Sequence, residues 1–151
     1  KSTRTEAWHE SYKAIFGRYG CIRLTLEHGR IVSIHADTNE EVLRQAIETD
    51  EGAHYLGEIA LVPVDSPIAQ SGLLFYNTLF DENASCHMAL GAGYIDVLHG
   101  KDRRTEALVA QGLNLSSLHV DFMFGSADMC CTATTADGRE VPIFRDGVFV
   151  I

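Results

Sequence analysis

Cys21-Ile-Arg-Leu-Thr-Leu-Glu-His-Gly-Arg-Ile-Val-Ser-Ile-His-Ala36 is the stretch on which the fold turns. Ile22, Leu24 and Leu26 alternate with polar neighbours. After His28-Gly29, whose glycine suits a tight turn, Val32, Ile34 and Ala36 alternate again. This period of two predicts a β-hairpin with one face turned to a core. Directly downstream, Thr38-Asn-Glu-Glu41 matches a capping box. Val42, Leu43, Ala46 and Ile47 then share a helical stripe opposite Glu40, Glu41, Arg44 and Glu48, which predicts a helix over residues 39–50.

Farther out, Ile59-Ala-Leu-Val-Pro-Val64 reads as a short buried strand, with Pro63 at a sheet edge or strand end. Leu73-Leu-Phe-Tyr76 reads as another strand. Asp81-Glu-Asn83 offers caps for a helix through Ser85–Leu90, stopped by Gly91 and Gly93, and His87 would lie on it. A surface helix over residues 102–110 ends at Gly112. Leu118, Val120 and Phe122 alternate with His119, Asp121 and Met123, so His119 and Asp121 share one face of a strand. Asp137-Gly138 and Asp146-Gly147 mark the turns of a C-terminal β-meander. The expected fold is α+β: one domain over residues 1–151, with a largely antiparallel sheet open to barrel-like closure and two or three helices.

Composition narrows the function classes. The 151 residues are 46% apolar and 22% charged, as in an ordinary globular domain large enough for a core without disulfides. A net charge of −9 disfavours a nucleic-acid partner. No apolar run approaches the ~20 residues of a membrane helix, and Lys1–Trp8 is too polar for a signal peptide, so no membrane partner is expected. Cys21, Cys86, Cys130 and Cys131 contain no C-x-x-C pair, and a reduced, cytoplasmic setting is expected.

Chemistry-bearing residues gather in three places. The side chains of His119 and Asp121, about 7 Å apart at their roots on one strand face, can converge on a divalent ion. Such a pair also occurs as solvated or hydrogen-bonded surface residues. In Asp81-Glu-Asn-Ala-Ser-Cys-His87, Glu82 and His87 could reach one site, although an acid in a first turn also serves the helix dipole. Glu58 leads straight into an apolar strand, where an ionised group is costly unless paired or metal-bound. Glu58, Glu82, His87, His119 and Asp121 make a ligand set suited to Zn²⁺, Co²⁺ or Mn²⁺. Five ligands exceed the needs of one catalytic ion, so a two-metal hydrolytic site with a bridging carboxylate is expected.

Other constellations carry less. Cys86 beside His87 suggests a thiol nucleophile, but helix neighbours point apart. No phosphate-binding glycine loop is present, and Gly91-Ala-Gly93 reads as a helix stop. His87, His119 and a carboxylate could also hold an oxygenase iron. His9, His28, His35, His54 and His99 read as solvated, and Tyr76 and Tyr94 as core or rim residues.

Several of these stretches resemble a known family. Leu56-Gly-Glu-Ile-Ala-Leu-Val-Pro63, Ser66-Pro-Ile68, Phe75-Tyr-Asn-Thr-Leu-Phe-Asp-Glu-Asn-Ala-Ser-Cys-His87, Ala89-Leu-Gly91, Tyr94, Asn114-x-Ser116, His119-Val-Asp-Phe-Met123 and Gly125-Ser126 look like the metal-binding half of the M29 metallo-aminopeptidases. The likeness runs over residues 20–151. It implies that Glu58 bridges two divalent ions and that Glu82, His87, His119 and Asp121 are the remaining ligands. It further implies that Glu82 also manages protons and that Tyr94 holds a substrate or intermediate oxygen. The implied reaction removes N-terminal residues from peptides with a free amino terminus, and the implied assembly is a homodimer.

The chain departs from the family in two ways. An N-terminal α/β domain of the family has no counterpart here, and nothing in residues 1–20, Glu6 and Glu10 included, matches the stretch that holds a further glutamate ligand. The expectation is therefore a catalytic metal-binding part of a longer aminopeptidase, impaired alone. The alternative is a non-catalytic metal-binding or dimerisation module.

Overall fold

The computed structural model describes residues 21–98, 100 and 103–151. Expectations for Lys1–Trp8, Glu6, His9, Glu10, His99 and Asp102 lie outside these. The described strands are β1 (Ile22–Glu27), β2 (Arg30–Ala36), β3 (Leu56–Ala60), β4 (His87–Gly91), β5 (His119–Met123), β6 (Cys131–Thr134), β7 (Glu140–Arg145) and β8 (Val148–Phe149). The described α-helices are α1 (Glu40–Ile47), α2 (Pro67–Ser71), α3 (Thr78–Asp81) and α4 (Thr105–Ala110). Among the described residues, strands pair as β1-β2, β3-β4-β5 and β6-β7-β8, in separate sheets rather than one closed barrel. Among the described residues no helix is long and apolar enough to cross a membrane.

The chain forms two compact units. Of the described residues, one unit contains 21–59 and 88–122, and the other contains 60–87 and 123–151. The sheet β3-β4-β5 belongs to the first unit except for its end residues Ala60, His87 and Met123.

In the first unit the expected hairpin forms. β1 runs antiparallel to β2, with Ile22 opposite Ala36 and Leu24 opposite Ile34. His28 and Gly29 both take positive φ, as a two-residue turn matched to strand twist requires. A bulge between Thr25 and Leu26 shifts the register. The shift buries Ile31 and leaves Val32 half exposed, the reverse of the expected alternation at that end of β2.

α1 presents Leu43 and Ile47 inward, while Val42 stays exposed. Asn39 is the N-cap in a left-handed conformation, and the Glu40 carboxylate reaches back to the Ala36 N–H and pairs with Arg44. Ile31, Ile34, Ala36, Leu43, Ile47 and Leu90 form the core, joined by Ile22, Leu24, Leu56, Leu118 and Phe122. Burying each of the larger side chains stabilises the unit by about 1.5–3 kcal/mol. Leu118 and Phe122 anchor one side of β5 to this core, which turns His119 and Asp121 away from it.

Three expected elements differ. The strand placed at Ile59–Val64 lies earlier, at Leu56–Ala60, and ends before Pro63, which has no N–H for a ladder. Glu58 therefore sits inside the strand rather than at its mouth. The expected helix over Ser85–Leu90 is β4, the central strand of its sheet. Cys86, His87, Ala89, Leu90 and Gly91 are all buried, and a strand covered on both faces loses the period of two that distinguishes it from a helix.

Leu73–Tyr76 forms no strand. In the second unit the buried Asp81 carboxylate accepts the N–H groups of Phe75 and Asn77, and Tyr76 takes φ 56° between them. Asp81 thus ties the chain backward instead of capping a helix ahead, and Asn77 caps α3 through the Leu79 N–H. The C-terminal meander forms as expected, with Asp146 and Gly147 at its second turn. Phe144 is its buried anchor, meeting Phe149 edge to face at 4.6 Å.

Candidate metal centre

Strand periodicity places His119 and Asp121 side by side on β5, and Glu58 projects beside them from β3. His119 Nε2 lies 3.3 Å from Asp121 Oδ1 and 3.7 Å from Glu58 Oε2. One ligating atom from each residue falls within 4.8 Å of the others, and all three side chains are largely shielded from solvent.

The electronics of this trio are decided next door. His119 Nδ1 lies 2.8 Å from the Ala92 carbonyl oxygen, which can only accept, so Nδ1 carries the proton and donates it. In the neutral ring the Nε2 lone pair then points at two carboxylates. Both His119 Nε2 and Asp121 Oδ1 are buried with no hydrogen-bond partner. Buried acceptors gathered around one point are costly to leave unmatched, and a divalent cation resolves the cost. An imidazole whose other N–H is tied to a backbone carbonyl is the usual form of a metal-binding histidine. One nitrogen and two carboxylate oxygens suit Zn²⁺, Co²⁺ or Mn²⁺. The residues therefore fit a divalent ion.

Glycines let the strands close on this point. A Cβ on Gly57 would lie 2.1 Å from the Gly91 carbonyl oxygen and 2.4 Å from that of Ala92. One on Gly91 would lie 2.1 Å from the Leu118 carbonyl oxygen. Gly91 and Gly93 accordingly mark close backbone approach rather than a helix stop. The Tyr94 ring meets the His119 ring edge-on at 5.1 Å and is about half exposed, so its edge borders the trio.

Of the five expected ligands, the structure gathers Glu58, His119 and Asp121. Glu82 and His87 belong to the second unit. There His87 is buried and donates Nδ1–H to the Ser85 carbonyl at 2.9 Å, the same tautomer as His119. Glu82 follows α3 and opens a short 3₁₀ turn. Asp50 and Asn114, whose side chains bind the Ser117 N–H and the Gly91 carbonyl beside the trio, are not singled out by their chemistry in the sequence. Reading α1 through to residue 50 placed Asp50 in a helix, whereas it caps the next turn through the Ala53 N–H. Asn114 figures in the sequence only within the Asn114-x-Ser116 string.

Cys86 is no nucleophile. Its Sγ is buried, accepts the Val62 N–H and donates to the Val62 carbonyl, and burial pushes the thiol above its ordinary pKa. Iodoacetamide at neutral pH should alkylate the exposed Cys21 and Cys130 in the native chain and reach Cys86 only on denaturation. Peptide mapping by mass spectrometry checks this, and rapid native labelling of Cys86 would contradict it.

Among the remaining histidines, His28 and His35 are exposed as expected, and His35 pairs with Glu40 at 2.7 Å. His54 is not solvated: its side chain is only 13% exposed and its Nδ1 is buried without a hydrogen bond. Tyr76, at 87% exposure, is not a core residue.

Comparison with known proteins points one way. A family model described as thermophilic metalloprotease (M29) matches residues 20–149. Aminopeptidase AmpS of Bacillus subtilis is 59% identical over 125 residues, covering 82% of this chain and 30% of the relative. Aminopeptidase T of Thermus thermophilus is 45% identical over 139 residues, covering 92% and 32%. The solved structure of wild-type AmpT from Thermus thermophilus superposes with a TM-score of 0.77 at 45% identity, over 88% of this chain and 32% of that one. The chain thus spans about a third of the length of the relatives it matches.

Proposed function

Because the chain belongs to the M29 family of thermophilic metalloproteases, we propose that it supplies metal-binding residues to a metal-dependent aminopeptidase that releases N-terminal residues from peptides. The observation that carries this reading is the buried convergence of His119 Nε2, Asp121 Oδ1 and Glu58 Oε2 on one point. The relatives' names, all aminopeptidases, support the substrate class. The same reading takes the chain as part of a longer, cytoplasmic homodimeric enzyme using two ions of Zn²⁺, Co²⁺ or Mn²⁺, with Glu82 and His87 assigned as ligands through the family resemblance.

A divalent ion held by Glu58, His119 and Asp121 would supply Lewis acidity to polarise a peptide carbonyl and activate a water. The protein's own residues do the rest. His119, fixed by its bond to Ala92, would present Nε2 to the ion, while Glu58 and Asp121 would offset its positive charge in a site sheltered from water. Tyr94, at the edge of His119, donates its hydroxyl to the oxygen that gains charge as the carbonyl is attacked. The family resemblance assigns to Glu82 the proton role, taking a proton from the attacking water and returning it to the leaving amine.

Metal titration followed by hydrolysis of leucine p-nitroanilide tests the reading. The chain should bind Zn²⁺ or Co²⁺, lose hydrolysis on chelation, spare the N-acetylated substrate and turn over more slowly than full-length relatives. Tyr94→Phe should lower the residual rate about a hundredfold while leaving metal affinity unchanged. Only trace metal by elemental analysis after Zn²⁺ loading would overturn the proposal. Metal binding without amide hydrolysis would favour the non-catalytic module.

A further inference from the structure

We propose that Asn114 and Asp50 are positioning residues of the metal centre, latching the chain that enters β5 to the chain that leaves β4 and so setting where His119 aims Nε2. The inference rests on the metal-centre reading above. All of its contacts lie within the first unit.

Asn114 works on the β4 side. Its Nδ2 donates to the Gly91 carbonyl at 2.7 Å and to the Gly52 carbonyl at 2.8 Å, and its own backbone carbonyl accepts the Gly93 N–H at 2.9 Å. Ala92 is therefore held by both neighbours, and its N–H also donates to the Leu118 carbonyl at 2.7 Å. Its carbonyl is the one that receives His119 Nδ1–H. Gly52 permits the approach, since a Cβ there would lie 1.8 Å from the Leu115 carbonyl oxygen.

Asp50 works on the β5 side. It accepts the Ser117 N–H at 2.7 Å, the Ser116 hydroxyl at 2.8 Å and the Ala53 N–H at 2.9 Å. Ser116 Oγ in turn accepts the Leu118 N–H, one residue before His119. These contacts, the Ser117 N–H foremost, hold the Asp50 carboxyl below the usual carboxylate range. Neither side chain hydrogen-bonds to a ligand, yet together they fix both partners of the bond that orients the imidazole. Groups that orient a metal-binding histidine typically change metal affinity by about 10–100-fold when removed.

Cobalt binding to the 151-residue chain, by competition with a chromophoric chelator and by the visible d–d spectrum, tests the latch. Asn114→Ala should weaken Co²⁺ about 10–100-fold and change the spectrum. Ser116→Ala should lose about tenfold, and Ser116→Thr, which keeps the hydroxyl, should restore affinity and spectrum. A purely structural role would lower the melting temperature and leave both cobalt readouts of the folded protein unmoved, and that result overturns the proposal. Where Asn114→Ala fails to melt cooperatively, Ser116→Ala, missing one hydroxyl, decides. If His119→Ala also binds Co²⁺ as tightly as the unaltered chain, the metal-centre reading itself falls.

Discussion

Glu58→Gln should abolish most of the gain in melting temperature that Zn²⁺ or Co²⁺ gives the chain, and should slightly raise the melting temperature of the metal-free form. The two signs come from one geometry. Glu58 Oε2 and Asp121 Oδ1 both face His119 Nε2, so without an ion one carboxylate fewer relieves repulsion of about 1 kcal/mol. With an ion the same oxygen is a ligand. Structural zinc sites bind with about 10–16 kcal/mol over four ligands, which makes one ligand worth about 3 kcal/mol or roughly a hundredfold in affinity. At a metal concentration about 1,000 times the dissociation constant, binding stabilises the folded chain by about 4 kcal/mol, or about 10 °C for a domain of this size. A hundredfold loss leaves about 1.4 kcal/mol, or about 4 °C. Scanning calorimetry with and without metal checks both signs. An undiminished metal-induced shift in Glu58→Gln would remove Glu58 from the centre.

Gly57→Ala should be among the most destabilising single-methyl additions in the sheet beside the centre, costing about 4 kcal/mol or more. The added Cβ has nowhere to go. Its nearest neighbours are the carbonyl oxygens of Gly91 and Ala92 at 2.1 and 2.4 Å, which are backbone atoms rather than flexible side-chain ends. β3 and β4 must separate, and the Ala92 carbonyl that orients His119 moves with them. Urea denaturation should show a lower midpoint, and Co²⁺ affinity should fall in the fraction that folds. Gly72→Ala gives a local contrast, since its Cβ meets open space and only its positive φ opposes the change. Equal midpoints for the two variants would sink the packing argument.

What could be read without coordinates followed from local periodicity. The hairpin at residues 21–36, the helix carrying Leu43 and Ile47, and the shared face of His119 and Asp121 all rest on spacings within one element. Where that signal is weak or ambiguous, the reading slipped. Buried on both faces, β4 looked like a helix, and the Leu73–Tyr76 run became a loop because Asp81 takes the N–H groups a ladder would need. Val32 changed sides because of a bulge that no residue type announced.

The candidate site divides in the same way. The residue types and their spacing by themselves determined that Glu58, His119 and Asp121 were the groups to watch, because a carboxylate beside a buried strand and a His/Asp pair on one strand face are costly without a partner. Only the tertiary structure decided that they meet, since Glu58 and His119 stand 61 positions apart and converge through pairing across the sheet β3-β4-β5. It also decided the imidazole's tautomer, because the acceptor for His119 Nδ1 is the Ala92 carbonyl. A backbone carbonyl is present at every position, so nothing in the residue types marks the one that fixes the ring; strand pairing and glycine-permitted close approach do.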